Sequence, residues 1–120
     1  MSKQAQEKTG NLLDLQPQHN VRWEVSEDQR VALIIPRIGH PFLRKLFNPL
    51  MKNPDLRIFL DEYGSWVWQL IDGKKTVYQL GELLEGHFGE ATQPVFERLG
   101  LFINQLARNR FVLLLNNRQS

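Results

Sequence analysis

Cysteine is absent from the 120 residues. That excludes a disulfide framework, a thiol nucleophile and thiolate zinc sites, and it suits a reducing compartment. Long apolar runs are missing as well. The longest, residues 31–35 and 111–115, fall far short of the roughly 20 residues a membrane helix needs. The opening MSKQAQEKTG lacks the apolar centre of a signal peptide. Catalytic chemistry is thinly supplied. His19, His40 and His87 are scattered without metal-ligand spacing, and no serine sits in a nucleophile motif. Asp61 and Glu62 are adjacent, so on a helix they do not face each other; capping and dipole complementarity are their expected work. Lys74 and Lys75 lie at a turn with no phosphate-cradling glycine loop. The expectation is a cytoplasmic protein that is not an enzyme, with no catalytic or metal-binding residues and no cofactor.

What is present is the material of one ordinary domain with a small core: 42% hydrophobic and 23% charged residues. The net charge of +2 is mild, but it is unevenly spread. Residues 37–58 carry Arg37, Arg44, Lys45, Lys52 and Arg57 against Asp55 alone, a local +4. Residues 76–100 carry Glu82, Glu85, Glu90 and Glu97 against Arg98 alone, a local −3.

Residues 1–20 are polar apart from Leu12, Leu13 and Leu15, and read as a flexible tail. The NLLDL patch within it can dock as a short turn of helix before Pro17, or remain a solvated tail with stray leucines. VRWEV (21–25) alternates with the period of a half-buried strand, placing Val21, Trp23 and Val25 inward. The polar tetrad 26–29 is a turn, and residues 30–35 give a second strand stopped by Pro36. Residues 38–55 interrupt the pattern. Pro41, Pro49 and Pro54 bound a stretch with Phe42, Leu43, Leu46, Phe47 and Leu50 at helical spacing, read as a short amphipathic insertion.

Residues 56–60 (LRIFL) form a third strand, with Leu56, Ile58 and Leu60 on one face and Arg57 and Phe59 on the other. Asp61 caps a helix whose expected buried stripe is Trp66, Val67, Leu70 and Ile71, ended by Asp72-Gly73. Trp66 and Trp68 point different ways on that helix, so at most one is deeply buried. Thr76 with Gln79 is a capping box for a second helix bearing Val77, Leu80, Leu84 and Phe88. Thr92 is expected to cap a third helix, residues 95–109, with Pro94 in its first turn and Asn109 closing it in a left-handed conformation. Residues 111–115 are a final strand or apolar tail. The fold class is α+β and winged helix-turn-helix-like: a small three-stranded antiparallel sheet followed by a three-helix bundle. The domain is expected over 21–115, with a C-terminal tail at 116–120.

The run Leu60-Asp61-Glu62-Tyr63-Gly64, then Trp68, then Leu70-Ile71-Asp72-Gly73-Lys74-Lys75-Thr76-Val77 resembles the PqqD-like family. The resemblance continues through Leu80, Leu83, Leu84 and Phe88 into the third helix. It implies a peptide chaperone, or precursor-peptide recognition element, of pyrroloquinoline quinone or related peptide-derived product biosynthesis. Such a domain holds a leader peptide by strand addition. It presents the leader to a radical S-adenosylmethionine or other peptide-modifying enzyme. Carried onto this chain, the peptide-binding residues are Leu56, Arg57, Ile58, Phe59 and Leu60 on the strand, with Phe102, Gln105, Leu106 and Asn109 on the third helix. Backbone groups of Arg57 and Phe59 would pair with the leader, and Arg57 could meet an acidic leader residue. Taken singly, Phe102 and Leu106 are more often plain core, and Arg57 is more often a charge that discourages edge aggregation. The NLLDL patch, apolar like a leader anchor, could occupy the groove in cis or from a second protomer.

A DNA-binding winged helix is the alternative, because a fold does not fix function. Its base readers would be Arg98, Asn104, Gln105 and Arg108, but the four glutamates nearby repel phosphate. A structural or interaction module, dimerising through the 38–55 insertion, is a third reading.

Overall fold

The computed structural model describes residues 12–36 and 55–116. The rest of the expected N-terminal tail, nearly all of the expected amphipathic insertion and the end of the C-terminal tail lie outside the described residues. In chain order the elements are a 3-10 turn at Leu12–Asp14, then strands β1 (Gln16–His19), β2 (Arg22–Val25), β3 (Val31–Pro36) and β4 (Asp55–Phe59). Helices α1 (Glu62–Leu70) and α2 (Val77–Phe88) follow, then a 3-10 turn at Gly89–Thr92, α3 (Val95–Arg108) and β5 (Val112–Leu115). The expected α+β architecture is present: an antiparallel sheet in the order β2-β3-β4, followed by three helices. A second sheet, β1-β5, is also antiparallel. The chain divides into two compact units, Val21–Ser65 and a second made of Met1–Asn20 with Trp66–Ser120.

In the unit Val21–Ser65, the tetrad expected as a turn forms one, with Gln29 at φ 70 and Ser26 bonded to Arg30 through its amide (2.8 Å) and its hydroxyl (3.1 Å). Val31, Ala32, Leu33 and Ile34 of the central strand β3 are all buried. The expectation that Trp23 and Val25 turn inward is not met: every residue of β2 is exposed, Trp23 to 36%. β2 is an edge strand, so its side chains gain cover from one neighbouring strand only. Over Ile34, the ion pairs Arg22–Asp55 (3.2 Å) and Arg57–Glu24 join the two strands that flank β3. Both are exposed, and such pairs are worth about 0–1 kcal/mol each.

The corner after β4 is held by Ser65. Its hydroxyl accepts the Val31 amide at 2.8 Å and donates to the Leu60 carbonyl at 3.1 Å. Asp61 caps α1 as expected, its Oδ1 accepting the Gly64 amide at 2.7 Å.

In the other unit, the segment expected as a flexible tail is ordered from Leu12. Leu12 and Leu13 of the NLLDL patch enter a 3-10 turn, and the Leu15 carbonyl after it accepts the Val77 amide at 3.0 Å. β1 then pairs with β5, and Pro17 accepts the Gly73 amide at 2.8 Å, where Gly73 has φ +80. This correction also explains a second one. The fully buried tryptophan is Trp68, not Trp66; the His19 ring of β1 stacks on Trp68 at 4.1 Å, and His19 Nε2–H donates to the Trp68 carbonyl at 2.7 Å. Trp66, only half-buried, stacks instead on His87 at 4.3 Å. The core of this unit is completed by Val67, Val77, Leu80, Leu84, Leu99, Ile103 and Val112.

Between α1 and α2, Asp72 Oδ1 accepts the amides of Lys74 (2.9 Å) and Lys75 (2.8 Å), and Lys75 Nζ reaches Oδ2 at 2.9 Å. These bonds, that from the Lys75 amide first, hold the Asp72 carboxyl well below the usual carboxylate range. The capping box forms as expected: Thr76 Oγ1 accepts the Gln79 amide at 3.1 Å, and Gln79 Oε1 accepts the Thr76 amide at 2.8 Å. Thr92 does not cap α3. Its hydroxyl donates to the Gly89 carbonyl at 2.9 Å in the preceding turn, so the helix opens after Pro94 without a side-chain cap. Nor does Asn109 take the left-handed position. Its side chain donates back to the Gln105 carbonyl, and Arg110, at φ 65, closes a Schellman motif with Phe111 N–H on the Leu106 carbonyl at 2.8 Å.

Two outcomes follow for stability. Ser65→Ala removes both bonds at the corner and leaves the Val31 amide buried without its acceptor, a loss of about 1–3 kcal/mol measurable by urea unfolding. Burial lowers the His19 imidazole pKa below its ordinary 6.5, a shift partly offset by the Trp68 carbonyl and the Asp72 charge. A depressed pKa means the unfolded chain takes up the proton first, so the contribution is full above the unfolded value and is lost as pH falls. The melting temperature is therefore expected to drop on going from about pH 7.5 to pH 5, and His19→Phe should flatten that part of the profile.

Candidate functional site

β4 lies at the edge of its sheet, and its register decides what that edge offers. The pairs are Ala32 with Phe59, Leu33 with Ile58, Ile34 with Arg57 and Ile35 with Leu56. Beyond the strand, the Leu60 amide donates to the Val31 carbonyl at 2.9 Å, which makes Leu60–Val31 a hydrogen-bonded pair. Bonded and non-bonded pairs alternate in an antiparallel ladder. Ile58 and Leu56 are therefore bonded to β3, whereas Arg57 and Phe59 point their N–H and C=O groups away from it. Among the described residues, no strand pairs with that outer side. An open edge of this kind is a template for an added strand.

The side chains along the edge are mixed. Phe59 is 50% exposed and Leu56 41%, while Ile58 and Leu60 are half-buried. The Arg30 guanidinium lies 5.8 Å from the centre of the Phe59 ring and donates through Nε to the Leu60 carbonyl at 2.9 Å. Arg57, exposed, is paired with Glu24. An acidic peptide residue meeting Arg57 would have to share it with this glutamate. Arg30 and Glu24 were not singled out from the sequence. Their roles depend on which strand residues share a face, and that is set by register rather than by composition.

The helix residues of the expected groove lie on α3, in the other unit. Leu106 is buried with Leu99 and Ile103, Phe102 is half-buried, and Gln105 and Asn109 are exposed. Of the residues weighed as base readers, Arg98 donates to the Ala91 carbonyl at 2.7 Å and so is engaged within its own unit. Among the described residues, no cluster of three or more His, Asp or Glu is placed to hold a metal ion. No helix among them is long and apolar enough to cross a membrane.

Residues 53–112, half of the chain, match the family of coenzyme PQQ synthesis protein D (PqqD). The chain belongs to the PqqD family. No curated protein and no solved structure matches it. Membership implies a part in the synthesis of coenzyme PQQ or of a related peptide-derived product, as a non-catalytic, peptide-binding partner of a modifying enzyme. The PqqD match opens two residues before β4, takes in the three helices and ends on the first residue of β5. It is narrower than the domain expected over residues 21–115: β2 and β3 lie outside it.

The outward parity of Arg57 and Phe59 separates two proline substitutions. Ile58→Pro removes an amide bonded to β3 and is expected to destabilise the chain by about 1–3 kcal/mol. Phe59→Pro removes an amide that faces outward, as edge-strand prolines do, and should leave the unfolding midpoint much closer to that of the unaltered chain. Chemical denaturation of the two variants side by side checks this.

Proposed function

We propose that this PqqD-family protein is a cytoplasmic, non-catalytic chaperone that holds the leader of a ribosomally made precursor peptide by strand addition to β4. It presents that peptide to a radical S-adenosylmethionine or other modifying enzyme. The observation that carries this reading is the open edge of β4, with the outward N–H and C=O groups of Arg57 and Phe59, inside the family-matched segment. Main-chain bonds to those groups supply affinity without regard to sequence, and pockets for alternate side chains supply selectivity. Leu56, Ile58 and Leu60 alternate with them, so leader side chains on that face meet apolar surface. In the other unit, Phe102, Gln105 and Leu106 of α3 and Asn109 just after it are proposed as further peptide-binding residues. Leu106 is buried, so in this reading it shapes the helix surface from below, while the exposed Gln105 and Asn109 offer polar contacts.

The test is a titration of the isotope-labelled full chain with synthetic leader peptides, read by amide shifts. The Arg57 and Phe59 amides are expected to move on binding. Phe59→Pro should weaken the interaction by about tenfold or more, the loss of a main-chain bond at a desolvated edge. Shifts confined to other surfaces would remove the assignment to β4. A parallel titration with duplex DNA at low salt should show no tight, steeply salt-dependent binding.

A further inference from the structure

The flank of α2 that meets the start of α3 is shaped by a glycine. Gly81 is buried in the interior of the helix, where a glycine costs stability. A Cβ at that position would lie 2.3 Å from Phe96 Cε1, so any larger residue would push the Phe96 ring off α2. Phe96, the second residue of α3, in turn stacks on Tyr78 with ring centres 5.4 Å apart and planes 2° from parallel. That separation is the offset arrangement of parallel rings, which leaves part of each face uncovered. Tyr78 is 46% exposed and Phe96 is half-buried. The bare glycine thus seats an aromatic pair that reaches the surface.

Acid runs alongside this pair. Tyr78, Glu82 and Glu85 recur at helical spacing on α2 and so form one stripe. Gln93, just before α3, donates through Nε2 to Glu85 Oε2 at 3.1 Å, which holds Glu85 on the side where Phe96 lies. Both glutamates are exposed, and neither has an ion-pair partner among the described residues, in contrast to Glu24, Asp55 and Asp72, which do. Helix stability does not account for them. Like charges one turn apart repel, and Glu85 lies in the last turn of α2, where the macrodipole disfavours an acid. All these groups belong to the unit that lacks β4, so nothing here depends on the reading of that strand.

We infer that this flank of α2 is a second docking surface, which takes an arginine-bearing segment of another protein. The Tyr78–Phe96 pair offers an aromatic face on which a planar guanidinium stacks. Glu82 and Glu85 supply the complementary charge and accept its N–H groups, and the arriving cation relieves their mutual repulsion. The charge argues against a second copy of this chain meeting the same flank. Two copies face to face would bring four carboxylates together, and the stripe has no cation to answer them.

The test uses the full chain and three blocked peptides in which glycine alternates with arginine, lysine or glutamate. At low salt the arginine peptide is expected to shift the Tyr78, Gly81, Glu82 and Phe96 amides. It should bind at least about tenfold more tightly than the glutamate peptide, and the gap should shrink as salt is raised. The lysine peptide should fall between the two, since an ammonium does not stack. The double variant Glu82→Gln, Glu85→Gln should lose most of that gap. Its urea midpoint should match or exceed that of the unaltered chain, because the substitutions relieve repulsion along the helix. Tyr78→Leu keeps every charge and an apolar cover on Phe96, yet should weaken the arginine peptide about two- to fivefold. The inference is overturned if the arginine peptide has no advantage over either of the others, or if the shifts fall on Arg57 and Phe59 instead. Unchanged binding in either variant also overturns it, as does a lower urea midpoint in the double variant, which would assign the glutamates to the fold. So do Tyr78 and Glu82 shifts that track protein concentration without peptide, which would give the flank to a second copy.

Discussion

Leu60 gives its amide to Val31, and Ser65 closes the same corner by accepting from Val31 and donating to Leu60. This corner fixes the parity of β4 against β3. Side chains and hydrogen bonds both alternate along a strand, so a slip by one residue would exchange the two faces and turn different amides outward. With the corner in place, Arg57 and Phe59 present their main chain to the outside, and Leu56 and Ile58 spend theirs on the sheet. A buried serine thus helps determine which groups of the edge strand are available. Its role is to hold the strand in phase.

Much of this architecture was legible in the sequence, because it follows from local chemistry. The Thr76–Gln79 box, the Asp72-Gly73 turn, the Asp61 cap and the β-branched run of β3 announce themselves through side chains that act on their own backbone. The N-terminal strand did not. Gln16-Pro17-Gln18-His19 is polar, shows no alternation and contains a proline, which argues against a strand unless the missing amide is unneeded. It is unneeded here, since Pro17 faces away from β5. Missing that strand led to the wrong tryptophan, because the cover over Trp68 comes from His19, 49 residues away in sequence. The end of α3 was misplaced for a related reason. Asn109 is the better left-handed residue by propensity, but its side chain bonds to the preceding turn and the positive φ falls on Arg110.

The candidate site divides along the same line. Period-two alternation was enough to place Arg57 and Phe59 on one face; which main-chain groups turn outward follows from the register of β4 against β3. The partners of those side chains, Glu24 and Arg30, are brought in by strand pairing across 33 residues for Arg57–Glu24 and by the turn before β3, which composition does not reveal. The family match, for its part, starts just before β4 and leaves β2 and β3 outside. The matched segment is thus the edge strand and the helices that follow. Of the two strands behind the edge, β3 is the one whose residues the sheet buries, while every residue of β2 is exposed.

The two ion pairs that flank Ile34 carry a consequence for the kinetics of recognition. Arg22, Asp55, Arg57 and Glu24 sum to zero, and opposite charges alternate across the sheet face. Such an arrangement has no net monopole, so its field decays within a few ångströms and is screened further by salt. By themselves these two pairs neither gather nor repel charged ligands from a distance. A peptide arriving over them would gain no electrostatic steering from these four charges and would be retained there by shape and main-chain bonding. As far as these pairs are concerned, peptides would be told apart by how long they stay rather than by how fast they arrive.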